Sequence, residues 1–157
     1  MRSKPKQSVD ASGLKVTILV SSYHDDVTTK LLDGAKTTFV ESGGSEEDCQ
    51  SMMISGSWEL PVVASAIASN GGVDAIVALG CIISGETTHD QVIADAIAEG
   101  LMAVATQWKL PVSMGVLTCQ TLHQAHDRAG GECGNKGSEA MYAALSTIAV
   151  LQDVSTS

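Results

Sequence analysis

The chain has 157 residues, of which 44% are hydrophobic and 17% are charged. That length and apolar content suit one domain with a substantial core, and they exclude disorder over most of the chain. The formal net charge is −9, with nine basic against eighteen acidic residues. Because nucleic acids and anionic membranes are bound by clusters of Lys and Arg, the sequence predicts neither a nucleic-acid nor a membrane partner.

The cysteines indicate a reducing compartment. They are dispersed and form no Cys-x-x-Cys pair, whereas secreted disulfide frameworks are denser: Cys49, Cys81, Cys119 and Cys133. The chain starts without the basic and apolar segments of a signal peptide, and no apolar run is long enough to span a bilayer. We therefore expect free thiols and a cytoplasmic location.

The hydrophobic pattern predicts four strands, each followed by a helix. The strand-like runs are residues 15–20, 51–54, 75–83 and 112–117. Caps, glycines and prolines place helices after Asp25 or Asp26, from about Pro61, from near Thr88, from Thr121 and after Asn135. The helix from Thr121 is predicted to start with a capping box of Thr121 and Gln124 and to end at Gly130-Gly131. Around these elements we expect a flexible arm at 1–13, a single domain at 14–152 and a frayed C-terminus at 153–157.

Alternating strands and helices are typical of a parallel sheet with helices on both faces, an α/β fold. Ligands in such folds bind beyond the carboxyl ends of the strands. Those ends lead here into residues 21–24, 55–59, 83–89 and the turn after Leu117. The sequence therefore predicts a site built from these segments.

Aromatic and polar side chains gather in two of those segments. Tyr23 and Trp58 could sandwich a flat ring, while Ser57 and Glu59 hydrogen-bond its polar edge. The alternative is that Trp58 belongs to the core and Tyr23 plugs the surface. Both aromatic residues follow strands that end at the same sheet edge, which favours a ring-binding pocket.

A phosphate seat is predicted where the turn at 85–88 leads into a helix, because exposed N–H groups and the helix dipole favour anions there. The alternative is that the turn only caps the helix. Arg128 could clamp the same phosphate with two hydrogen bonds, or it could pair on the surface with a neighbouring carboxylate, Asp127 or Glu132. His89, in the first turn of the helix, suits proton transfer near neutral pH or has a structural role.

Two further histidines, His123 and His126, are spaced like half of a metal site. No third and fourth ligand follows at a metal-site spacing, so we expect both to face solvent. The chain also lacks a Gly-x-Gly-x-x-Gly motif, a Walker motif and a serine nucleophile elbow. The residues alone thus predict an α/β domain with a pocket for a phosphate and a ring.

Four motifs, taken together, resemble the lumazine synthases: SGSWELP at 55–61, ALGCIISGETTH at 78–89, PVSMGVLT at 111–118 and QAHDRAGGECGNKGSE at 124–139. They occur in order and with matching spacing, and the likeness extends from about Val16 to Val150. The resemblance implies a flavodoxin-like three-layer sandwich around a four-stranded parallel sheet. It also implies a homopentamer. In many members twelve pentamers close into an icosahedral shell of sixty subunits, and whether assembly here goes beyond five stays open.

The resemblance implies a reaction as well. The family condenses 5-amino-6-(D-ribitylamino)uracil with 3,4-dihydroxy-2-butanone 4-phosphate and releases 6,7-dimethyl-8-ribityllumazine, phosphate and water. This is the penultimate step of riboflavin biosynthesis, so riboflavin synthase is an expected partner. Imine formation, proton transfer and loss of water need no redox step, and we expect neither a cofactor nor a metal.

By position, the resemblance also assigns residues. His89 would transfer protons, and a phosphate site would consist of Glu86, Thr87 and Arg128. The pyrimidine and ribityl groups would contact Tyr23, Ser57, Trp58, Glu59, Cys81, Ile82, Ile83, Met114 and Lys136. Of these, Met114, Arg128 and Lys136 would come from a neighbouring subunit.

Some positions depart from the usual family pattern. The family commonly has Phe-Asn where this chain has Tyr23-His24, and often Arg where Ser84 stands. Asp90 and Met114 replace frequent aromatic residues. Because of these changes, two other functions stay open: a flavin- or lumazine-binding or structural assembly protein without turnover, and a monomeric flavodoxin-like binder of phosphates or mononucleotides.

Overall fold

The computed structural model describes residues 7–157. The strands are β1 Val16–Ser21, β2 Cys49–Ile54, β3 Ala75–Ile83, β4 Val112–Cys119, β5 Ala129–Gly131 and β6 Gly134–Asn135. The α-helices are α1 Asp25–Glu41, α2 Leu60–Asn70, α3 His89–Trp108, α4 Leu122–Asp127 and α5 Lys136–Thr156. Single 3₁₀ turns lie at Glu46–Asp48 and Ser57–Glu59.

The main sheet has the order β2-β1-β3-β4, and all its strands are parallel. Helices α1 and α5 pack against each other on one face, and α2 and α3 on the other. Strand β3 has a neighbour on each side and a layer of helices on each face. This explains its continuous apolar run, because every side chain from Ala75 to Ile82 is buried. The predicted α/β sandwich with a four-stranded parallel sheet is confirmed.

Each face of the sheet has its own core. Leu31 and Phe39 of α1 and Met141 of α5 are completely buried against one face. On the other face, Leu60 of α2 and Ile97 of α3 are buried together with alternate side chains of the strands. Because successive side chains of a strand point to opposite faces, one sheet serves both cores.

Both termini differ from expectation. Residues 7–13 were predicted to belong to a flexible arm, yet Ala11 is completely buried and its N–H donates to the carbonyl of Ser42 at 2.9 Å. The hydroxyl of Tyr142 donates to the carbonyl of Gln7 at 2.9 Å. The remainder of the predicted arm, residues 1–6, lies outside the described residues. At the other end, α5 continues to Thr156 where a frayed segment was predicted.

The region between β4 and α5 also contains more structure than predicted. Thr121 and Gln124 form the expected capping box of α4, and Asn135 caps α5 by accepting from the N–H of Ser138. Between them, Gly130 and Gly131, which were predicted to end a helix, lie in β5 of the antiparallel hairpin β5–β6. Gly130 and Gly134 both have positive φ, at 103° and 82°, so the hairpin uses conformations that favour glycine.

The thiols are free, as predicted, and three of the four are buried. Burial raises the pKa of Cys49 to about 11 and, together with the nearby Cys119 and Asp26, raises the pKa of Cys81 to about 12. No helix among the described residues is long and apolar enough to cross a membrane.

The raised thiol pKa values predict a loss of stability in alkali. Unfolded thiols release protons from about pH 9, while Cys49 and Cys81 stay protonated in the folded chain until pH 11 to 12. Their contribution is therefore complete below about pH 9 and declines as the pH rises towards the folded values. Under reducing conditions, the fall in melting temperature between about pH 8 and about pH 10.5 should be smaller in Cys81→Ala than in the parent. Cys133→Ala, which removes an exposed thiol, should show the same decrease in melting temperature as the parent. Equal decreases in all three proteins would contradict the prediction.

Candidate active site

A cavity of about 560 Å³ opens at the carboxyl edge of the sheet, where the ligand site was predicted. Its walls come from the segment after β1, the 3₁₀ turn after β2, the end of β3 and the start of α3. We call it the ring cavity. The lining residues are Tyr23, His24, Gly56, Ser57, Trp58, Cys81, Ile82, Ile83, Gly85, Thr87, His89, Asp90 and Ile93. Eight of the thirteen predicted site residues are therefore brought together here.

The two aromatic residues are not core residues. Tyr23 is 66% exposed and Trp58 is 57% exposed, although both line the cavity. Exposed aromatic side chains beside a concave surface are suited to cover a planar ligand, because their faces gain contact area when it binds. The interpretation of Trp58 as a core residue is therefore wrong.

Ser57 lies on the floor of the cavity and is 8% exposed. It is positioned by Gly80 in the middle of β3, since a Cβ at Gly80 would collide with the Ser57 hydroxyl and lie 3.4 Å from its Cβ. The strand thus leaves room for the serine by having no side chain at that point. A hydroxyl held in this way can donate to, or accept from, the polar edge of a bound ring.

His24 was not among the predicted site residues, yet it lines the cavity next to Tyr23. Its backbone is in the left-handed region at φ 59°, and it occupies the N-cap of α1 without a side-chain capping bond. Its ring lies edge-on to Tyr23, with centroids 4.7 Å apart and planes at 73°. A strained residue whose side chain does not stabilise the helix is consistent with a role in the site. Its position directly after Tyr23 was the available sequence signal.

The loop between β3 and α3 is exposed from Ser84 to His89. Thr87 and His89 line the cavity, and the Thr87 hydroxyl lies 3.4 Å from the N–H of His89. The Ser84 hydroxyl donates to Asp90 at 3.0 Å and closes the loop. Asp90 also lines the cavity, although it was not predicted to do so, whereas Glu86 does not line it.

The two cationic residues that were predicted for the site do not line the ring cavity. Arg128 and Lys136 line a second cavity of about 340 Å³, together with the end of β4 and Cys133. We call it the cationic cavity. Lys136 lies 3.5 Å from Glu139, while Arg128 makes no ion pair within residues 7–157 and donates to the carbonyl of Gln124 at 3.0 Å. The alternative pairing of Arg128 with Asp127 or Glu132 is therefore not formed.

Two further predicted residues do not line the ring cavity. Glu59 faces a groove between α2 and α3, although its carboxylate would lie 2.9 Å from a Cβ placed on Gly56. Met114 lies on β4 and is partly exposed. Within residues 7–157, no group of three or more His, Cys, Asp and Glu side chains could hold a metal ion.

Comparison with known proteins places this arrangement in a family. A family model described as 6,7-dimethyl-8-ribityllumazine synthase matches residues 13–152. The chain belongs to the 6,7-dimethyl-8-ribityllumazine synthase family. A relative from Pediococcus pentosaceus, named 6,7-dimethyl-8-ribityllumazine synthase, is 39% identical over 145 residues, which cover 92% of this chain and 93% of the relative. The resemblance seen in the four motifs is thus confirmed over most of the chain, and the lumazine synthase family accounts for the flavodoxin-like sheet.

Proposed function

We propose that this chain catalyses the condensation of 5-amino-6-(D-ribitylamino)uracil with 3,4-dihydroxy-2-butanone 4-phosphate to 6,7-dimethyl-8-ribityllumazine. Membership of the family over residues 13–152 is the observation that carries the proposal. The ring cavity supports it, because exposed aromatic side chains, a buried serine hydroxyl and a histidine lie around one space. These are the groups that a planar heterocycle and a proton-transfer reaction need.

The chemistry assigns separate tasks to these residues. The 5-amino group of the uracil attacks the ketone and loses water to give an imine. Phosphate then leaves, and the ribityl-bearing nitrogen closes the second ring with loss of another water. Each step moves protons between nitrogen, carbon and oxygen, and His89 is the proposed carrier because imidazole can give and take protons near neutral pH. Tyr23, Trp58 and Ser57 hold the pyrimidine so that the amine and ketone remain close.

The phosphate is proposed to bind between two copies of the chain. Thr87 and the first turn of α3 provide one side. Within residues 7–157, no Lys or Arg lines the ring cavity, whereas Arg128 and Lys136 line the other cavity of the same chain. The site would be completed by the cationic cavity of a neighbouring subunit. That subunit would also contribute Met114, which lies on β4. Exposed apolar side chains at Met53, Val62 and Met102 offer area for such contacts.

The proposed assembly is a homopentamer. Whether twelve pentamers form a shell, and whether riboflavin synthase associates with it, stay predictions from the family resemblance. A cytoplasmic location likewise stays a prediction. The free thiols are consistent with a reducing compartment.

Two measurements test the proposal together. Purified protein is mixed with both substrates, and lumazine is followed by its absorbance and fluorescence after the uncatalysed rate is subtracted. Light scattering gives the mass in the same buffer. We expect turnover well above background and a mass several times the 16.2 kDa of one chain. A rate equal to background would overturn the catalytic proposal, and an active monomer would overturn the shared site.

A second candidate function is ring binding without turnover. It is favoured by Asp90, a carboxylate that lines the ring cavity where relatives frequently have an aromatic residue. Its negative charge lies next to the turn at 85–88, where phosphate is proposed to bind, and would repel the phosphate. Titration with the lumazine product, combined with the turnover assay, separates the two functions: tight binding with background turnover would favour this second candidate.

The packing of Ser57 on Gly80 gives a prediction for substrate affinity. Gly80→Ala should displace the serine and raise the KM for the pyrimidine about fivefold, which corresponds to one hydrogen bond at most, with a small change in melting temperature. In a Ser57→Ala background the same change should have little further effect, because the group that it displaces is absent. Equal rises in KM in both backgrounds would show that Gly80 acts by another route.

A further inference from the structure

The segment that carries the cationic residues is hydrogen-bonded to α1 at both of its ends. Residues 126–136, which we call the cationic arm, run from the end of α4 through the β5–β6 hairpin to the first residue of α5. Both Arg128 and Lys136 lie on it and line the cationic cavity. How this arm is attached therefore decides where its cations are presented.

The first end of the arm is bound to α1 through His126. Its Nε2 lies 2.9 Å from Oδ2 of Asp26, and its Nδ1 lies 3.4 Å from Nζ of Lys30. A lysine ammonium can only donate, so Nδ1 accepts and Nε2–H donates to the carboxylate. Both ring nitrogens are thus engaged by α1, and the His126 side chain is only 33% exposed. The expectation that this histidine faces solvent is wrong, whereas His123 does face it.

The second end of the arm is also bound to Lys30 of α1, through Asn135. The side-chain amide of Asn135 donates to the carbonyl of Lys30 at 3.0 Å, while its oxygen accepts from the N–H of Ser138. Across the arm, the N–H of Lys136 donates to the carbonyl of Arg128 at 2.8 Å. Lys30 therefore contacts one end of the arm with its side chain and the other with its backbone.

The guanidinium of Arg128 follows α4. Its Nη1 donates to the carbonyl of Gln124, one turn earlier in the helix. This helix has only six residues and is fixed at its start by the capping box of Thr121. At its end, the His126 side chain contacts α1, next to Ala125, which is buried in the core. A rotation of α4 would therefore move the guanidinium with it.

We propose that the Asp26–His126–Lys30 bridge is a positioning element that aims Arg128 at the phosphate of the four-carbon substrate. This proposal rests on the proposed function, because it takes Arg128 as a phosphate ligand. His126 has no contact with substrate in it and acts only through the arginine. We call these three residues the α1 bridge.

The experiment compares His126→Leu, which breaks both contacts of the α1 bridge, with His126→Gln, which keeps a donor and an acceptor. For each assembled variant, kcat and the KM of each substrate are measured, together with melting temperature and mass. His126→Leu should raise the KM of the four-carbon phosphate about fivefold, which corresponds to the loss of about one hydrogen bond. The KM of the pyrimidine and the assembly mass should stay unchanged, and His126→Gln should lie close to the parent.

A double variant shows whether the histidine acts through the arginine. In an Arg128→Ala background, His126→Leu should cause no further rise in the KM of the phosphate substrate. A further fivefold rise, an equal rise in both KM values, or no rise at all would overturn the α1 bridge. If Arg128→Ala alone leaves that KM unchanged, the proposed phosphate role of Arg128 is wrong, and the positioning role of the α1 bridge is wrong with it. If Arg128→Ala raises the KM and His126→Leu does not, only the positioning role of the α1 bridge is wrong.

Discussion

His89→Ala will lower the rate of lumazine formation about a hundredfold while leaving the assembly intact, since general acid–base catalysis by a positioned histidine contributes at least that factor. The side chain is exposed at the start of α3 and lines the ring cavity. Its loss should therefore cost little stability. The rate is followed by lumazine fluorescence at saturating concentrations of both substrates, so that a change in affinity does not appear as a change in turnover.

The matched control is His123→Ala. His123 is also an exposed histidine on a helix, but it lies on α4, where its Nε2 is 3.5 Å from the carboxylate of Asp127. We expect this variant to keep the parent rate. If His89→Ala retains the parent rate as well, the proton-transfer role falls, and the enzyme would act by holding its two substrates together.

Arg128→Ala will raise the KM for the four-carbon phosphate about ten- to a hundredfold, which corresponds to the loss of charge-assisted hydrogen bonds to the phosphate. The KM for the pyrimidine should change much less, because the ring cavity does not include this residue. Lys36→Gln serves as the control, since it removes the same charge from the middle of α1, away from the cationic cavity. Similar effects of both substitutions would indicate that net charge, not a local contact, attracts the phosphate.

Arg128→Ala also tests whether the active site lies within one chain or between two subunits. If His89 and Arg128 act in one site but on different subunits, assemblies formed from a mixture of His89→Ala and Arg128→Ala chains will regain activity. With random mixing at equal amounts, about a quarter of the interfaces combine an intact His89 with an intact Arg128. Each variant unfolded and reassembled alone is the control. A mixture no more active than the mean of the two would place both residues in a site within one chain.

The sequence predicts the sheet well where burial determines the pattern. Strand β3 is apolar throughout and bounded by Asp74 and Ser84, so its limits could be read directly. Strand β2 is an edge strand whose Met52 and Met53 are exposed, and it starts two residues earlier than the apolar run indicates. An edge strand has solvent on one side, so its hydrophobic pattern carries less information about its limits.

The sequence predicted which segments build the candidate site, but it did not predict every residue that lines the cavity. The rule that ligands bind at the carboxyl ends of parallel strands located Tyr23, Trp58 and His89, which do line one cavity. His24 lies within the predicted segment 21–24 but was not assigned a role, and Asp90 was missed, because a left-handed backbone and a loop-closing hydrogen bond leave no periodic signal in a sequence. The α1 bridge joins residues about a hundred positions apart. Contacts of that kind depend on the folded arrangement of α1 and α4.

The distribution of thiols provides a practical means of observing this protein. Cys49, Cys81 and Cys119 are buried, whereas Cys133 is exposed on the rim of the cationic cavity. A maleimide dye at neutral pH would therefore attach at a single native position in each folded subunit. Its emission would report on anions that enter beside Arg128 and on the approach of another subunit, without any engineered cysteine.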